Sequence, residues 1–360
     1  MCSGASRKPD DLRLLIHRDP ATLDDVLPDV GDGDFYDTGT WYRVFAETCL
    51  DPGDRLSVEI TGDGVALPMR ERPDRVGPFG GVQLAWLGNY YTCRFGPLFT
   101  GTSDASEAVA AWGREVRRRT PRPARLVFSA VDERSTGLAA LREGLRRASY
   151  LVETTEDFGN WYLPVSGDFD GYWSGRGARL RNTVERKERA LRRDHAVELD
   201  IIDNPAEAER AIDLYERVHA RSWKEPEPYP HFIPTLIREG MTAGAVRVGI
   251  LLADGEPVAS QLWIVWRGRA TIFKLSYDER LRKLSAGSVL TRHMMREAFR
   301  VGDIVEIDFG CGDDPYKKDW LPERRQRWTL TAYDPLTACG AAHTLRRYLP
   351  RLIRRRLTGI

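Results

Sequence analysis

Two acids, a phenol and an ammonium crowd a glycine turn in the segment IVEIDFGCGDDPYKKDW. A short strand brings Asp308 to its carboxyl end, and Gly310 and Gly312 then turn the chain to present Asp313, Asp314, Tyr316, Lys317 and Trp320. Proton transfer beside an anionic group needs such a set, with a carboxylate to accept a proton and a phenol or ammonium to donate one or to stabilise charge. Each residue also has a plainer use, because Asp caps turns, Lys is usually solvated and Trp is usually core.

A second constellation lies about twenty residues upstream. The loop LRKLSAGS (Arg282, Leu284, Ser285, Ala286, Gly287, Ser288) joins an apolar strand to a helix. Backbone N–H groups and the helix dipole at such a junction can hold a phosphate, although Ser-Ala-Gly before a helix also serves as a simple cap. A single histidine, His219, stands near the end of an earlier helix. A lone histidine there is more often a satisfied structural group than a base.

These residues need a framework, and the pattern supplies one. The run AVRVGILLADGEPVASQLWIVWRGRATIFKLSYD has Asp254-Gly255 and Arg267-Gly268 between three apolar stretches, which predicts a three-stranded antiparallel meander. A helix over 288–300 and a strand at IVEIDFG follow. Upstream, the spacing predicts an Arg-rich helix at 176–193, a strand at VELDII (197–202), a helix from Pro205 to Trp223 broken by KEPEPYPH, and a helix at about 231–239. The first half reads as a strand at Leu12–His17, a helix at Thr40–Cys49, antiparallel sheet from Leu56 to Thr100, a helix capped by Ser103, a strand at 125–131 and a helix at 136–147. Both halves show sheet, helix and strand in the same order. The expected division is 1–165, 166–340 and a basic amphipathic tail at 341–360, which docks on its own domain, meets a membrane surface or contacts RNA, and which Pro350 should kink or break.

Composition narrows the functions. The 360 residues carry 54 basic and 53 acidic side chains, so no global field attracts nucleic acid or an anionic membrane. Of the basic residues 47 are Arg and 7 are Lys, and isolated arginines are discounted accordingly. The first twelve residues hold no apolar h-region and no run of ~18 apolar residues occurs, so a soluble, cytoplasmic protein is expected. Five cysteines, scattered and odd in number, indicate neither a disulfide framework nor a metal site.

The segments DFDGYWSGRGARLRNTVERKERAL, VHARSW, KLSYDERLRKLSAGSVL and EIDFGCGDDPYKKDW together resemble the BioF2-like (CelD/BcsL-type) acetyltransferase family of the GNAT superfamily, relatives of the FemABX peptidoglycan aminoacyltransferases. The similarity runs from about Asp168 to Pro335, and LGNYYTCRFGPLF looks like part of the accompanying partner domain. The resemblance implies two tandem GNAT-like α/β (α+β) domains with mostly antiparallel sheets covered by helices. It also implies acyl transfer from acyl-CoA to an amine or hydroxyl of a small metabolite or saccharide precursor. Arg282, Ser285, Gly287 and Ser288 match the R/Q-x-x-G-x-G/A loop that grips the coenzyme A pyrophosphate, with Ser285 replacing the first Gly. Lys274 and Leu275 fall on the strand, Ile272–Ser276, that such folds splay against the thioester. Asp308, Asp313, Tyr316, Lys317 and Trp320 match the family's signature turn.

An amine attacks only when neutral, so a base is required. Asp313 is the first choice, Asp308 the second and His219 the competitor, while Lys317 or Tyr316 would stabilise the oxyanion or protonate the thiolate. Two other functions compete: Fem-type transfer from aminoacyl-tRNA, and a non-catalytic protein held at a membrane surface by its basic tail. No DNA partner is expected. Neither is tRNA, because the long helical hairpin of Fem-type proteins has no counterpart here.

Overall fold

The structure, a computed structural model, describes residues 14–27, 33–62, 64–100 and 104–358. They group into two compact units that interleave along the chain, whereas the sequence reading set its limits at 165 and 340. One unit takes the described residues within 1–31, 50–157 and 326–360, and the other those within 32–49 and 158–325.

In the first unit the strand order is Leu15–His17, Arg55–Ile60, Val65–Val76, Phe79–Trp86, Arg125–Asp132 and Glu323–Tyr333. All neighbours are antiparallel except Phe79–Trp86 with Arg125–Asp132. Helices Ala105–Val116 and Thr136–Arg147 pack closely where Gly144 meets Val109, a contact with no room for a Cβ. Asp104 caps the first of these helices by accepting from the N–H groups of Ser106 and Glu107. The expected cap, Ser103, lies outside the described residues. The C-terminal helix, Ala338–Thr358, runs through Pro350 without a break. Its first turns belong to this unit: Cys339 and Ala342 pack with Val76 and Ala124, while His343 bonds Asp74.

The second unit holds the strands Leu151–Pro164 (from Phe158), Glu306–Asp308, Arg269–Tyr277, Glu256–Trp266, Val246–Ala253 and Val197–Ile202, in that order. The predicted meander is present. Both of its turns place two successive residues at positive φ, Asp254-Gly255 and Arg267-Gly268, the conformation that matches a two-residue hairpin to strand twist. Helix Ala286–Val301 packs on the face of Gln261 and Trp263, and Thr291 accepts from the Gln261 amide. Helix Ala208–Ala220 packs against the same strand. Residues 257–264 are consequently all buried, which is why they do not alternate apolar with exposed polar residues, and the two polar side chains among them, Ser260 and Gln261, are hydrogen-bonded.

Helix Gly39–Thr48 joins this unit because Trp41 inserts edge-on against Phe232 and Phe273, and Arg43 pairs with Glu239 at 2.8 Å. The Arg-rich helix is Ala178–Asp194. It docks by Leu180, Val184 and Leu191, and its buried Glu188 meets Arg292 at 2.7 Å and His293 at 2.8 Å on helix Ala286–Val301.

Candidate active site

The site begins where two strands part. Arg269–Tyr277 and Glu306–Asp308 run parallel and pair at Arg269↔Glu306, Ala270↔Ile307 and Thr271↔Asp308, where the ladder ends. On its other edge Arg269–Tyr277 carries a bulge: Leu262 pairs with Lys274 but Trp263 with Ile272, so Phe273 is the extra residue. A bulge bends and twists its strand. The chain beyond Thr271, with Lys274 and Leu275, therefore continues without the shorter strand beside it.

Asp308 fixes the branch point. It is buried, accepts from the Gly310 N–H at 2.7 Å and from Thr271, and faces Arg325 at 3.3 Å. Arg325 also grips Glu306 through two bonds and holds Asn160 at 2.5 Å, and Asn160 donates to the Gly310 carbonyl. Asn160 and Arg325 were not among the sequence candidates. A buried Asn in a strand and one Arg among many carry no local signal.

Past the splayed strand the chain enters the loop. Asp278, fully buried, caps a 3-10 turn over Glu279–Leu284 and binds the Arg280 guanidinium. Ser285 then adopts φ 52, ψ 43, the left-handed region. A Cβ in that region costs about 1–2 kcal/mol, which the loop bears at Ser285. The helix starts at Ala286, two residues earlier than expected. Ser288 and Val289 bond back to the Ser285 carbonyl, while the N–H groups of Ala286 and Gly287 have no partner among the described residues. Arg282 is exposed beside them, and Leu284 is half-buried. Gly287 itself is buried, and a Cβ there would lie 3.0 Å from the Tyr277 ring. Trp223, half exposed, stacks on Tyr277 at 4.5 Å.

The signature turn uses its residues unevenly. Lys317 is buried and donates to the carbonyls of Phe309 (3.3 Å), Cys311 (2.6 Å) and Gly312 (3.2 Å), with Asp314 at 3.3 Å. Its charge is spent on holding the turn closed. Asp313 is exposed, ion-paired with Arg324 at 2.7 Å and bonded by the Trp161 N–H at 2.6 Å. These partners, Arg324 above all, hold its carboxyl below the ordinary value. Tyr316 leans edge-on against Phe309, and burial raises its phenol. Trp320 is core: it packs on Trp173, and its carbonyl accepts from Tyr172 and Arg176.

His219 has different company. Its ring stacks on Tyr215, and its buried Nε2 has no hydrogen-bond partner among the described residues, with Glu227 Oε1 at 3.8 Å. Burial, the largest influence, lowers its pKa from the ordinary imidazole value. Glu227 pairs with Lys274 at 2.8 Å. Lys224 is half-buried nearby, and burial with the neighbouring Lys274 charge pushes its pKa down to about 8. Lys224 and Glu227 escaped sequence reading. A signal was available: three of the seven lysines in this arginine-dominated chain, Lys224, Lys274 and Lys317, belong to one electrostatic cluster.

Among curated proteins none matches the chain in sequence. Solved structures do match in fold. FemX aligns at 8% identity over 88% of this chain and 97% of its own, with a TM-score of 0.58. L-PGS from Bacillus licheniformis aligns at 12% over 91% and 96%, TM-score 0.54. The DUF2156 domain of a protein from Agrobacterium fabrum aligns at 13% over 91% and 95%, TM-score 0.57. The mixed α/β architecture expected from the sequence is present. Residues 178–318, which contain the splayed strands, the loop and the turn, match the family model described as an acetyltransferase (GNAT) domain, and most of the chain shares its fold with FemX and L-PGS.

Proposed function

We propose that the protein is an N-acyltransferase that moves an acyl group from acyl-CoA to the amine, or a hydroxyl, of a small metabolite or saccharide precursor. One observation carries this reading: two parallel strands separate at Thr271 and Asp308, and the longer leads into a helix whose first N–H groups, at Ala286 and Gly287, are unbonded. A helix N-terminus of this kind suits a pyrophosphate, with the exposed Arg282 beside it. A thioester extended along Ile272–Ser276 would meet backbone donors able to stabilise its oxyanion.

His219 is the base in this reading. Burial keeps its imidazole neutral near pH 7, its Nε2 has no other bond to break, and Glu227 stands close enough to favour the imidazolium that forms. Asp313, the first choice from sequence, is a poorer base because Arg324 stabilises its charged form. Asp308 is taken up by the branch point. Tyr316, half exposed at the turn, is the proton donor to the leaving thiolate. Lys317 serves the reaction by shaping the turn.

Thermal melting against acetyl-CoA, a long-chain acyl-CoA, free coenzyme A and charged tRNA tests the proposal. A donor at about 100 times its Kd should stabilise the native state by about 2.7 kcal/mol. Stabilisation by charged tRNA with none by any coenzyme A ester would replace it with the second reading, aminoacyl transfer. That alternative rests on the fold shared with FemX and on the basic helix Ala178–Asp194, whose Lys187 donates to the Lys283 carbonyl in the loop. Association with a membrane surface through the basic tail belongs to a third reading. No helix among the described residues is long and apolar enough to cross a membrane.

A further inference from the structure

Lys224 is an ammonium without a counterpart. The segment 219–227 leaves helix Ala208–Ala220 and brings His219, Lys224 and Glu227 beside the splayed strand. Glu227 is engaged by Lys274, and Lys317 is saturated by three carbonyls and Asp314. Lys224 Nζ, in contrast, makes no hydrogen bond or ion pair among the described residues, and its one contact of note is with the Trp223 ring at 5.7 Å. The charges that act on it are Lys274, Glu227, Lys317 and Asp314. Two of the four are cations.

A half-buried cation placed beside two others, without its own carboxylate, is unfavourable in the empty protein. It becomes favourable when a ligand supplies a negative charge. The use of lysine is informative in a chain that places arginine almost everywhere else. A compact ammonium on a flexible stem serves a point contact with one anionic group, where a guanidinium would demand a planar, bidentate partner. The burial that brings the Lys224 pKa down to about 8 points the same way, since an incoming anion would restore the full charge.

We propose that Lys224 reads a carboxylate or phosphate on the acceptor, so that the acceptor is an anionic amine, held at its charged end by Lys224 while its amine faces His219. This rests on the acyltransferase reading for the amine end, but the anion contact does not need the donor. The charged groups that act on Lys224 are those of the turn and of Lys274 and Glu227, whereas the lysines at the loop that would take the donor's own phosphates are Lys187 and Lys283.

The test has two arms. In the first, protein labelled with 13C at lysine Cε is titrated with propionate and with inorganic phosphate in the absence of donor. The Lys224 resonance is identified by its disappearance in Lys224→Arg. A saturable shift of that resonance with a raised titration midpoint is expected; no shift, or movement of Lys187 and Lys283 alone, overturns the inference. In the second arm, acetyl transfer from acetyl-CoA is compared for β-alanine and n-propylamine, and for 2-aminoethyl phosphate and ethylamine. The anionic member of each pair should have a kcat/KM higher by on the order of 10- to 100-fold. Lys224→Met should remove the advantage of the anionic member over its neutral partner, chiefly through KM, and Lys224→Arg should restore part of it. Equal use of both members by the parent overturns the inference. Anion binding at Lys224 without any coenzyme A binding would leave it standing and remove the acyl-CoA reading. Turnover of n-propylamine without any anion effect at Lys224 would do the reverse.

Discussion

Asp313 and His219 separate on their surroundings rather than on their chemistry. A carboxylate gripped by Arg324 and the Trp161 N–H is a stable anion with little affinity for a proton, while an imidazole buried with a bare Nε2 is neutral and ready to accept one. His219→Gln should therefore cost on the order of 10²–10⁴ in kcat with donor binding preserved, and the deficit should shrink at high pH, where the amine is already neutral. Because burial lowers the His219 pKa, the acid limb of kcat/KM should fall below the ordinary imidazole value. Asp313→Asn should keep most of the parent rate. Steady-state kinetics of both variants from pH 5 to 10 decide it, and a dead Asp313→Asn beside an active His219→Gln would reverse the assignment. The residues themselves were legible in the sequence, since both stood among its candidates. Their ranking was not, because Arg324 and Trp161 reach Asp313 across 11 and 152 residues. Nor was the fate of Gly287. An exposed loop would tolerate Gly287→Val, but Tyr277 stands 3.0 Å from where the Cβ would be. That variant should lose stability along with any donor binding, which a melting curve without ligand will show.

At the scale of elements, local pattern and structure agree where periodicity was strong. The strand Val197–Ile202 and the helix Thr136–Arg147 fall at their expected limits, and the meander has both expected turns. Agreement fades where a side chain's use depends on how a turn folds. Lys317 shows why: its carbonyl contacts make it the clamp of the Gly310–Gly312 turn, a role that no spacing announces. Lys317→Met should leave three carbonyls and Asp314 without their cation. It should therefore lower the melting temperature as well as the rate, with faster amide exchange over the turn. The basic helix gives a cleaner element-scale prediction. Glu188 anchors it on helix Ala286–Val301 through His293 and Arg292 and also pairs with Arg192 on its own helix, and the hydrogen bond to His293 leads in bringing its pKa down to about 2. A depressed carboxyl contributes stability above its ordinary pKa near 4.5 and loses it as pH falls through about 2. Glu188→Gln should cost roughly 2–4 kcal/mol at pH 7, because it leaves two guanidinium groups short of a partner. The difference from the parent should narrow between pH 4.5 and 2. A constant difference across that range would mean that the carboxylate charge is not what holds the helix.

For the whole molecule, a reading that advances along the chain assigns each segment to its sequence neighbours. The compact units do not follow that rule. Strand Glu323–Tyr333 pairs with Arg125–Asp132, and Thr329 bonds Ser129 from 200 residues away. The segment after 326 is thereby part of the first unit, and no periodicity could have said so. The last helix docks on the same unit. Arg347 binds Glu153 at 2.7 Å, His343 binds Asp74, and Cys339 packs with Val76 and Ala124, so the helix is fastened to its unit by its N-terminal half. Leu345 and Leu349 are exposed on the same helix, with six arginines spread over residues 346–356. Two truncations distinguish fastening from localisation. Removing 338–360 uncovers Val76 and Ala124 and takes His343 from Asp74, so the melting temperature should fall by several degrees, as expected for the loss of about 1–3 kcal/mol. Removing 350–360 keeps all of those contacts and should leave both melting and acyl transfer to a soluble amine unchanged. If the arginines serve a membrane surface, the shorter truncation should also abolish co-sedimentation with anionic vesicles that the full chain shows at low salt. A full chain that ignores such vesicles, together with a 350–360 deletion that melts early, would make the entire helix a structural part of its unit.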